Sequence, residues 1–413
     1  MKGNEKMNKN YCVIGTGVTA VYAAKAIRDA DKDGNIHVFG AEKSLPYNRI
    51  KLSKDLYSDL RSEKVLIKKE KWYKDQNINL HLQTKVISVD TESQSIVTST
   101  GETIQYDELL ICTGAKNRKL SIDGVDKKGV YTIREMQEAE EFKAYVEDKN
   151  HIVIIGGGVQ GLETAWSIHK AGKKVTVVEV APRLMARQLD EKTSMLLQNK
   201  LEAAGVSVYL NTSVEQMIGG SEVEGVITSN GTIPCDVVLY SIGVIPNLDI
   251  VQDTPIATNR GIIVNDRMET NVDHVYAAGD VAEWNGIVAG LWQPAMDQGK
   301  VAGNNMVSGS SVYQKTIPST VFNAFDFTLF SIGLVDESQC DQTLLEAAGD
   351  GTYKRIFIKD QKLVGVVSLE GVVASLPYKA AIEGCVSLDG IDLNNASVCE
   401  VMNVLKERQK KSA

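Results

Sequence analysis

Two short glycine clusters carry the clearest chemical potential in the chain: Gly15-Thr-Gly17-Val-Thr-Ala20 and Gly156-Gly-Gly158-Val-Gln-Gly161, whose first glycines lie 141 residues apart. In each, the first glycine permits a tight turn, the second lets a pyrophosphate approach the backbone, and the third small residue, Ala20 or Gly161, lets a helix pack on a strand. An acid follows each cluster at the spacing of a ribose-diol acceptor, Glu42 after the first and Glu179 after the second. An acid there favours a free 2′-hydroxyl and repels a 2′-phosphate. Val180 and Ala181 place no arginine directly after Glu179, and Arg183 is the nearest cation that could serve a 2′-phosphate. A third signal is the run Thr270 to Asp280, an apolar strand pattern closing on Ala278-Gly279-Asp280 just before a helix-forming stretch. Asp280 there has two readings, an acceptor for a sugar-like hydroxyl chain or a helix N-cap.

The elements that position these residues follow from apolar runs. Tyr11–Ile14 and Ile36–Phe39 read as strands around a helix ending near Ala30. His151–Ile155 and Val175–Val178 repeat the pattern around a helix ending near Ala171. Two strand, glycine-turn, helix and strand units in one chain predict two dinucleotide-binding halves. Further on, Gly303 to Gly309 is small and polar and reads as a boundary. From Val312 the pattern turns strand-like, with Phe327–Phe330, Tyr353–Ile358 and Leu363–Val367.

The order Gly15-x-Gly17, Cys112-Thr113-Gly114, Gly156 to Gly161, Ile242-Gly243-Val-Ile-Pro-Asn247 and Ala278-Gly279-Asp280 resembles the FAD-dependent pyridine-nucleotide oxidoreductases of the glutathione-reductase structural family. The resemblance covers about residues 10 to 310. Leu45 to Lys54 and Gly279 to Trp284 are similar to the NADH:rubredoxin reductases and to the flavin domain of assimilatory nitrite reductases. It implies an α/β fold of two Rossmann-like, three-layer dinucleotide-binding domains, one inserted in the other, with a small α+β C-terminal domain. The implied layout is an FAD domain of residues 1–118 and 245–313, an NADH domain of 119–244 and a C-terminal domain of 314–413. FAD would lie against Gly15, Gly17, Ala20, Glu42, Thr113, Gly114, Gly243, Gly279 and Asp280. NADH would lie against Gly156, Gly158, Gly161 and Glu179.

The same resemblance assigns chemistry. Lys54 is similar to a lysine that related reductases place near flavin N5, and Glu163 to its carboxylate partner; the alternatives are a solvated lysine and a surface acid. Arg49 would reach the FAD pyrophosphate or be a surface arginine. Trp292, at the start of a helix with Pro294 in its first turn, would flank the flavin ring or be a core aromatic. Reduced flavin is close to anionic, so a nearby cation or helix N-terminus stabilises it. Many members of the family pass electrons to a Cys-x-x-x-x-Cys or Cys-x-x-Cys pair; neither occurs here. Residues 43–60 hold no cysteine, and all five histidines precede residue 275, so thiol–disulfide chemistry at the flavin is not expected. The six scattered cysteines match neither a metal cluster nor siroheme and iron–sulfur ligation, so no metal and no complete nitrite reductase are expected.

Composition bounds the partners. At 413 residues the chain is too long for one core. Its net charge of −8 disfavours nucleic-acid and anionic-membrane binding. No apolar run approaches the roughly 18 residues of a spanning helix, and Met1–Asn10 shows no apolar signal core, which predicts a cytoplasmic protein. Residues 49–74 nevertheless hold nine Lys/Arg and four Asp/Glu, a surplus of five positive charges. That segment would steer a small acidic redox protein such as rubredoxin, or form a solvated amphipathic helix face. The basic tail from Lys406 to Lys411 reads as a solvated terminus. The leading expectation is an FAD-dependent NADH oxidoreductase with a protein acceptor. An NADH oxidase reducing oxygen and a flavin- and NADH-binding redox sensor are the alternatives, and the oligomeric state is left open.

Overall fold

The computed structural model describes residues 8–315, 317–348 and 353–412. The first seven residues of the polar opening, and the Lys411 side chain at the end of the basic tail, lie outside the described residues. The chain divides into two compact units. One comprises Met1–Leu52, Asp59–Arg118 and Gly243–Thr316; the other comprises Ser53–Ser58, Lys119–Ile242 and Ile317–Ala413.

The first unit is built on a five-stranded parallel sheet, in spatial order Val275–Ala277, Glu108–Ile111, Asn10–Ile14, Asn35–Phe39 and Ile78–His81. Its central strands are apolar on both faces because helices cover the sheet: Cys12, Val13, Leu109, Leu110 and Ile111 are all buried. Helix Val18–Ala30 packs closely on helix Trp292–Val307. A Cβ on Gly299 or Gly303 would stand 2.5 Å from the Thr19 carbonyl oxygen or 2.4 Å from that of Ala23, so only glycine allows this approach. Helix Trp292–Val307 runs through most of the stretch Gly303 to Gly309 that reads as a boundary, and the division between the units falls just past it, at Thr316/Ile317. Asn305 then closes the helix end, its amide donating to the Arg267 and Ser311 carbonyls while its oxygen accepts from Ser311 N–H. The strand pattern expected from Val312 begins at Ser319.

The second unit repeats the design. Its parallel sheet has the spatial order Ser207–Tyr209, Lys174–Val178, His151–Ile155, Val237–Tyr240 and Val130–Tyr131. Each unit also carries a three-stranded antiparallel sheet, Val86–Asp90, Ser95–Thr98 and Thr103–Gln105 in the first and Val214–Ile218, Gly225–Thr228 and Gly231–Pro234 in the second. The expected fold class is therefore present: two Rossmann-like halves with helices on parallel sheets.

The C-terminal part of the second unit is a five-stranded antiparallel sheet ordered Ser319–Ala324, Phe327–Gly333, Lys362–Ser368, Tyr353–Lys359 and Gln342–Ala347. Helices Val372–Glu383 and Val398–Ser412 cover it over a core that includes Phe330, Ile356, Val366 and Leu405. This is the α+β domain expected.

Candidate functional site

Both glycine clusters sit at the carboxyl ends of parallel strands, where the strand order reverses. Gly15 follows the central strand of its sheet and Cys112 follows the neighbour on one side. At φ +130° a Cβ on Gly15 would meet the Cys112 carbonyl oxygen at 2.2 Å, so backbone conformation and space both demand glycine. Gly156 repeats this against Ser241, with φ +110° and a Cβ-to-oxygen distance of 2.3 Å. Such reversal points are where open α/β sheets bind ligands.

The second glycines differ from the first. Gly17 and Gly158 have nothing within 4 Å of a built Cβ, so a phosphate can approach their backbones. They are also the N-caps of helices Val18–Ala30 and Val159–Lys170, with no side-chain cap and no acid in the first turn. By contrast, helix Glu191–Ala203 is capped by Asp190 and helix Met136–Tyr145 by a Glu135/Glu138 capping box. Like the starts of helices Trp292–Val307 and Val372–Glu383, these two glycine-led starts lack a side-chain cap and a first-turn acid, so they offer N–H groups and the positive dipole end to an anion. The donor set fits the pyrophosphate of a dinucleotide in both places. Ala20 is fully buried, and a Cβ on Gly161 would stand 2.1 Å from the Gly156 oxygen, which is why the third position is small.

Around the first turn, Glu42 is held by two partners. Tyr47 Oη donates to Glu42 Oε2 at 2.7 Å, and the Arg49 guanidinium pairs with Oε1 while donating to Tyr47 Oη at 2.9 Å. Arg49 is thus bound to Glu42 here. Thr113 and Asn247, 134 residues apart, lock together: Thr113 Oγ1 donates to the Asn247 carbonyl at 3.0 Å and Asn247 Nδ2 to the Thr113 carbonyl at 2.9 Å. Gly114 at φ +69° and Gly243 at φ +98° turn the two crossing strands Ala115–Asn117 and Val244–Pro246, which pair antiparallel. Asp280 lies in a 3-10 turn, Gly279–Val281, and a strand, Ala282–Trp284, follows it. The helix expected directly after Asp280 starts only at Trp292, so the N-cap reading fails. The turn instead stays at the sheet end, since Ala278 N–H donates to the Ile111 carbonyl and Gly279 N–H to Gln298 Oε1 at 2.8 Å. A Cβ on Gly279 would meet Thr19 Oγ1 at 2.4 Å, which places Asp280 beside the first-motif helix. Trp292 is half-buried in the first turn of its helix.

At the second turn, Glu179 receives two backbone donors, Gly157 N–H at 2.5 Å and Ala181 N–H at 2.7 Å, which fix the carboxylate at the end of its strand. Arg183 turns elsewhere: its Nη2 donates to the Ala186 carbonyl at 3.1 Å, and its charge helps hold the Asp336 carboxyl below the usual range, behind Asp336's own hydrogen bonds from Ser338 and Gln339.

Lys54 and Glu163, 109 positions apart, meet in the second unit with Nζ to Oε1 at 3.1 Å. The glutamate side chain is 5% exposed and the lysine 33%. Burial pushes the Glu163 carboxyl above its ordinary range, and the charge and hydrogen bond of Lys54 pull it back only in part. Ser53 Oγ reaches Glu163 Oε2 at 3.4 Å, and Ser167 Oγ lies 3.0 Å from the carbonyls of both Ser53 and Lys54. Tyr47, Ser53, Ser167, Asn247 and Gln298 are the residues that sequence reasoning left unassigned. Tyr47, Ser53 and Asn247 lie inside the motif stretches, whereas Ser167 and Gln298 carry no signal of their own.

Cys112, whose Sγ would lie 3.2 Å from a Cβ on Gly15, is buried, which pushes its pKa upward; burial likewise raises Cys12 and Cys235, each to about 12. These thiols stay protonated at neutral pH and are poor nucleophiles. Among the described residues, no three His, Cys, Asp or Glu side chains converge as a metal-binding group. Among them, too, no helix is long and apolar enough to cross a membrane. The basic segment forms no single amphipathic helix. It is broken into Lys51–Lys54, Glu63–Val65 and Glu70–Asp75, and Lys69, Lys71 and Lys74 pair with Glu63, Asp75 and Glu70.

The chain belongs to the pyridine nucleotide-disulphide oxidoreductase family, whose model matches residues 9–299. A second model, the rubredoxin NAD+ reductase C-terminal domain, matches residues 318–385. Among curated relatives, the chain is 36% identical over 363 residues to the nitrite reductase [NAD(P)H] of Bacillus subtilis, covering 87% of this chain and 45% of the relative. It is 30% identical over 379 residues to the NADH-rubredoxin oxidoreductase of Clostridium acetobutylicum, covering 92% of this chain and 96% of the relative. The chain thus spans less than half of the Bacillus protein and nearly all of the clostridial one. The crystal structure of the clostridial NADH:rubredoxin oxidoreductase superposes with a TM-score of 0.79 at 29% identity, over 96% of this chain and all of that one. A ferredoxin reductase from Rhodopseudomonas palustris superposes with a TM-score of 0.86 at 28% identity, over 98% of this chain and all of that one.

Proposed function

We propose that the protein is an FAD-dependent NADH oxidoreductase that passes electrons from NADH through FAD to a small redox protein of the rubredoxin kind, without a redox-active disulfide. The observation that carries this reading is the duplicated, uncapped glycine turn, two anion-ready helix starts in one chain, each with its own acid. The family, the rubredoxin-reductase C-terminal domain and the near full-length likeness to the clostridial enzyme support the acceptor class. FAD, when bound, accepts hydride from NADH and releases electrons singly or in pairs.

In this reading the FAD domain comprises residues 1–118 and 245–313, the NADH domain 119–244 and the C-terminal domain 314–413. Gly15, Gly17 and Ala20 hold the FAD pyrophosphate, Glu42 takes the adenosine ribose, Asp280 bonds the ribityl chain, and Thr113, Gly114, Gly243, Gly279 and Trp292 shape the remainder. Arg49, paired with Glu42, is available to exchange onto the FAD phosphate. Gly156, Gly158 and Gly161 hold the NADH pyrophosphate, and Glu179 takes the diol. Lys54 sets the charge at the reacting end of the flavin, and Glu163 holds Lys54 in place. A cytoplasmic location suits both NADH and the reduced cysteines.

The docking surface for the acceptor is slightly weaker than the sequence implies, because Asp75, just beyond the counted segment, pairs with Lys71, while Glu63 and Glu70, the partners of Lys69 and Lys74, are already in the count. Reconstitution tests the whole reading. The purified protein should be yellow with one FAD per chain, and it should reduce rubredoxin with NADH. A colourless protein that takes up no FAD would refute it.

A further inference from the structure

The loop from Glu179 to Asp190 is gripped at both ends. At one end, Gly157 N–H donates to Glu179, and Met185 N–H returns to the Gly157 carbonyl at 2.9 Å, so the loop is stitched to the second glycine turn. Within the loop Leu184 and Met185 are buried, and Ser194 Oγ donates to the Leu184 carbonyl at 2.8 Å. At the other end the grip comes from the C-terminal sheet. Tyr353 Oη donates to Asp190 Oδ1 at 2.8 Å, and Ser331 Oγ donates to the Gln188 carbonyl. Asp190 also accepts from Thr193 N–H at 3.1 Å and Thr193 Oγ1 at 2.7 Å, while Arg355, paired with Glu337, stands 3.8 Å away. The Asp190 side chain is 1% exposed, so loss of a donor there leaves a buried oxygen short of a partner. Burial, foremost, and Asp190 push the Tyr353 hydroxyl up to about 12, so it remains a donor.

We propose that Tyr353 and Ser331 are positioning residues for the second dinucleotide site. Through Asp190 and Gln188, the C-terminal sheet holds the 179–190 loop in the shape that presents Glu179 and the Gly157 turn to a ligand carrying an adenosine ribose and a diphosphate. This deepens the proposed function and rests on its assignment of NADH to the second motif. It gives the C-terminal domain a part in nucleotide affinity, separate from any part in acceptor recognition.

The test is calorimetric titration of the FAD-loaded full chain with ADP-ribose, which carries the adenosine and diphosphate without the nicotinamide. Indirect coupling of this kind predicts about two- to thirtyfold weaker binding for Tyr353→Phe. Ser331→Ala should act in the same direction. In turnover, Tyr353→Phe should raise the KM for NADH by a similar factor while kcat and FAD content hold. Gln342→Ala breaks a hydrogen bond to the Leu393 carbonyl inside the C-terminal domain and should leave ADP-ribose binding unchanged. Wild-type affinity in both Tyr353→Phe and Ser331→Ala would overturn the proposal, as would an equal loss in Gln342→Ala. A wild-type protein that binds FAD but not ADP-ribose would overturn the NADH assignment itself, and this proposal with it.

Discussion

Replacing Lys54 with methionine should cost more stability than replacing Glu163 with glutamine, and the cost should grow with pH. Lys54→Met leaves a carboxylate that is 5% exposed with Ser53 Oγ at 3.4 Å as a long hydrogen bond. Loss of a charge-bearing hydrogen bond costs about 1.5–3 kcal/mol. The lysine is one-third exposed and water reaches that side of the pair, so the cost falls short of the roughly 3–5 kcal/mol of a fully buried pair. Glu163→Gln leaves an ammonium that water can solvate, at about 0–1 kcal/mol. The pH dependence follows from Glu163's raised native pKa. A carboxyl that binds its proton more tightly when folded stabilises the fold most below its unfolded pKa, and that stability is lost as pH rises through the native value. Removing Lys54 takes away a lowering influence, so the native pKa rises further and the loss extends to higher pH. Urea unfolding at fixed excess FAD should therefore show a small Lys54→Met penalty at pH 4.5 and a larger one at pH 7.5. The lower pH is the ordinary glutamate value of 4.5, from which the shift runs upward. Equal penalties at both pH values, or Glu163→Gln costing more than Lys54→Met, would refute the reasoning.

Asp280→Ala should weaken FAD by about 1.5–3 kcal/mol, the worth of a charged hydrogen bond, measured by titration of the apoprotein; unchanged affinity would remove Asp280 from the site. Steady-state kcat/KM should favour NADH over NADPH, because Glu179 is fixed by two backbone donors and Arg183 is engaged with Ala186; equal use of NADPH would overturn the Glu179 assignment. Charge reversal at Lys68, Lys69 and Lys71 should slow reduction of rubredoxin and reduce its salt dependence while leaving flavin reduction by NADH intact. The size of that effect should be modest, since Lys69 and Lys71 already pair with acids; no change in either rate would reject this surface for docking.

What was legible in the sequence is what local physics dictates. A strand, a turn that only glycine can make and an uncapped helix start lie within ten residues of one another, so Gly15, Gly17, Gly156 and Gly158 declare themselves, and their repetition declares the two Rossmann-like halves. The C-terminal strands were legible for the same reason, through apolar runs. Contacts between distant segments were not. Lys54 and Glu163 emerged only through family resemblance. Thr113 with Asn247, and Tyr353 with Asp190, join residues 134 and 163 apart and have no local pattern to announce them. Gly303 shows a related limit: a glycine that permits close helix packing looks, along the chain, like one that breaks a helix, and the unit division falls beyond it at Thr316. Asp280 left two readings open along the chain because its turn is held at Gly279 by Gln298, 19 residues on, and is followed by a strand rather than a helix, neither of which a local pattern announces.

The most direct test of the account is anaerobic stopped-flow mixing of the FAD-loaded protein with NADH, followed by a second mix with oxidised rubredoxin or with air-saturated buffer. The account predicts rapid bleaching of the flavin by NADH, then reoxidation by rubredoxin that far outpaces reoxidation by oxygen. A flavin that NADH does not bleach would contradict it, and so would a reduced flavin that oxygen reoxidises faster than rubredoxin does.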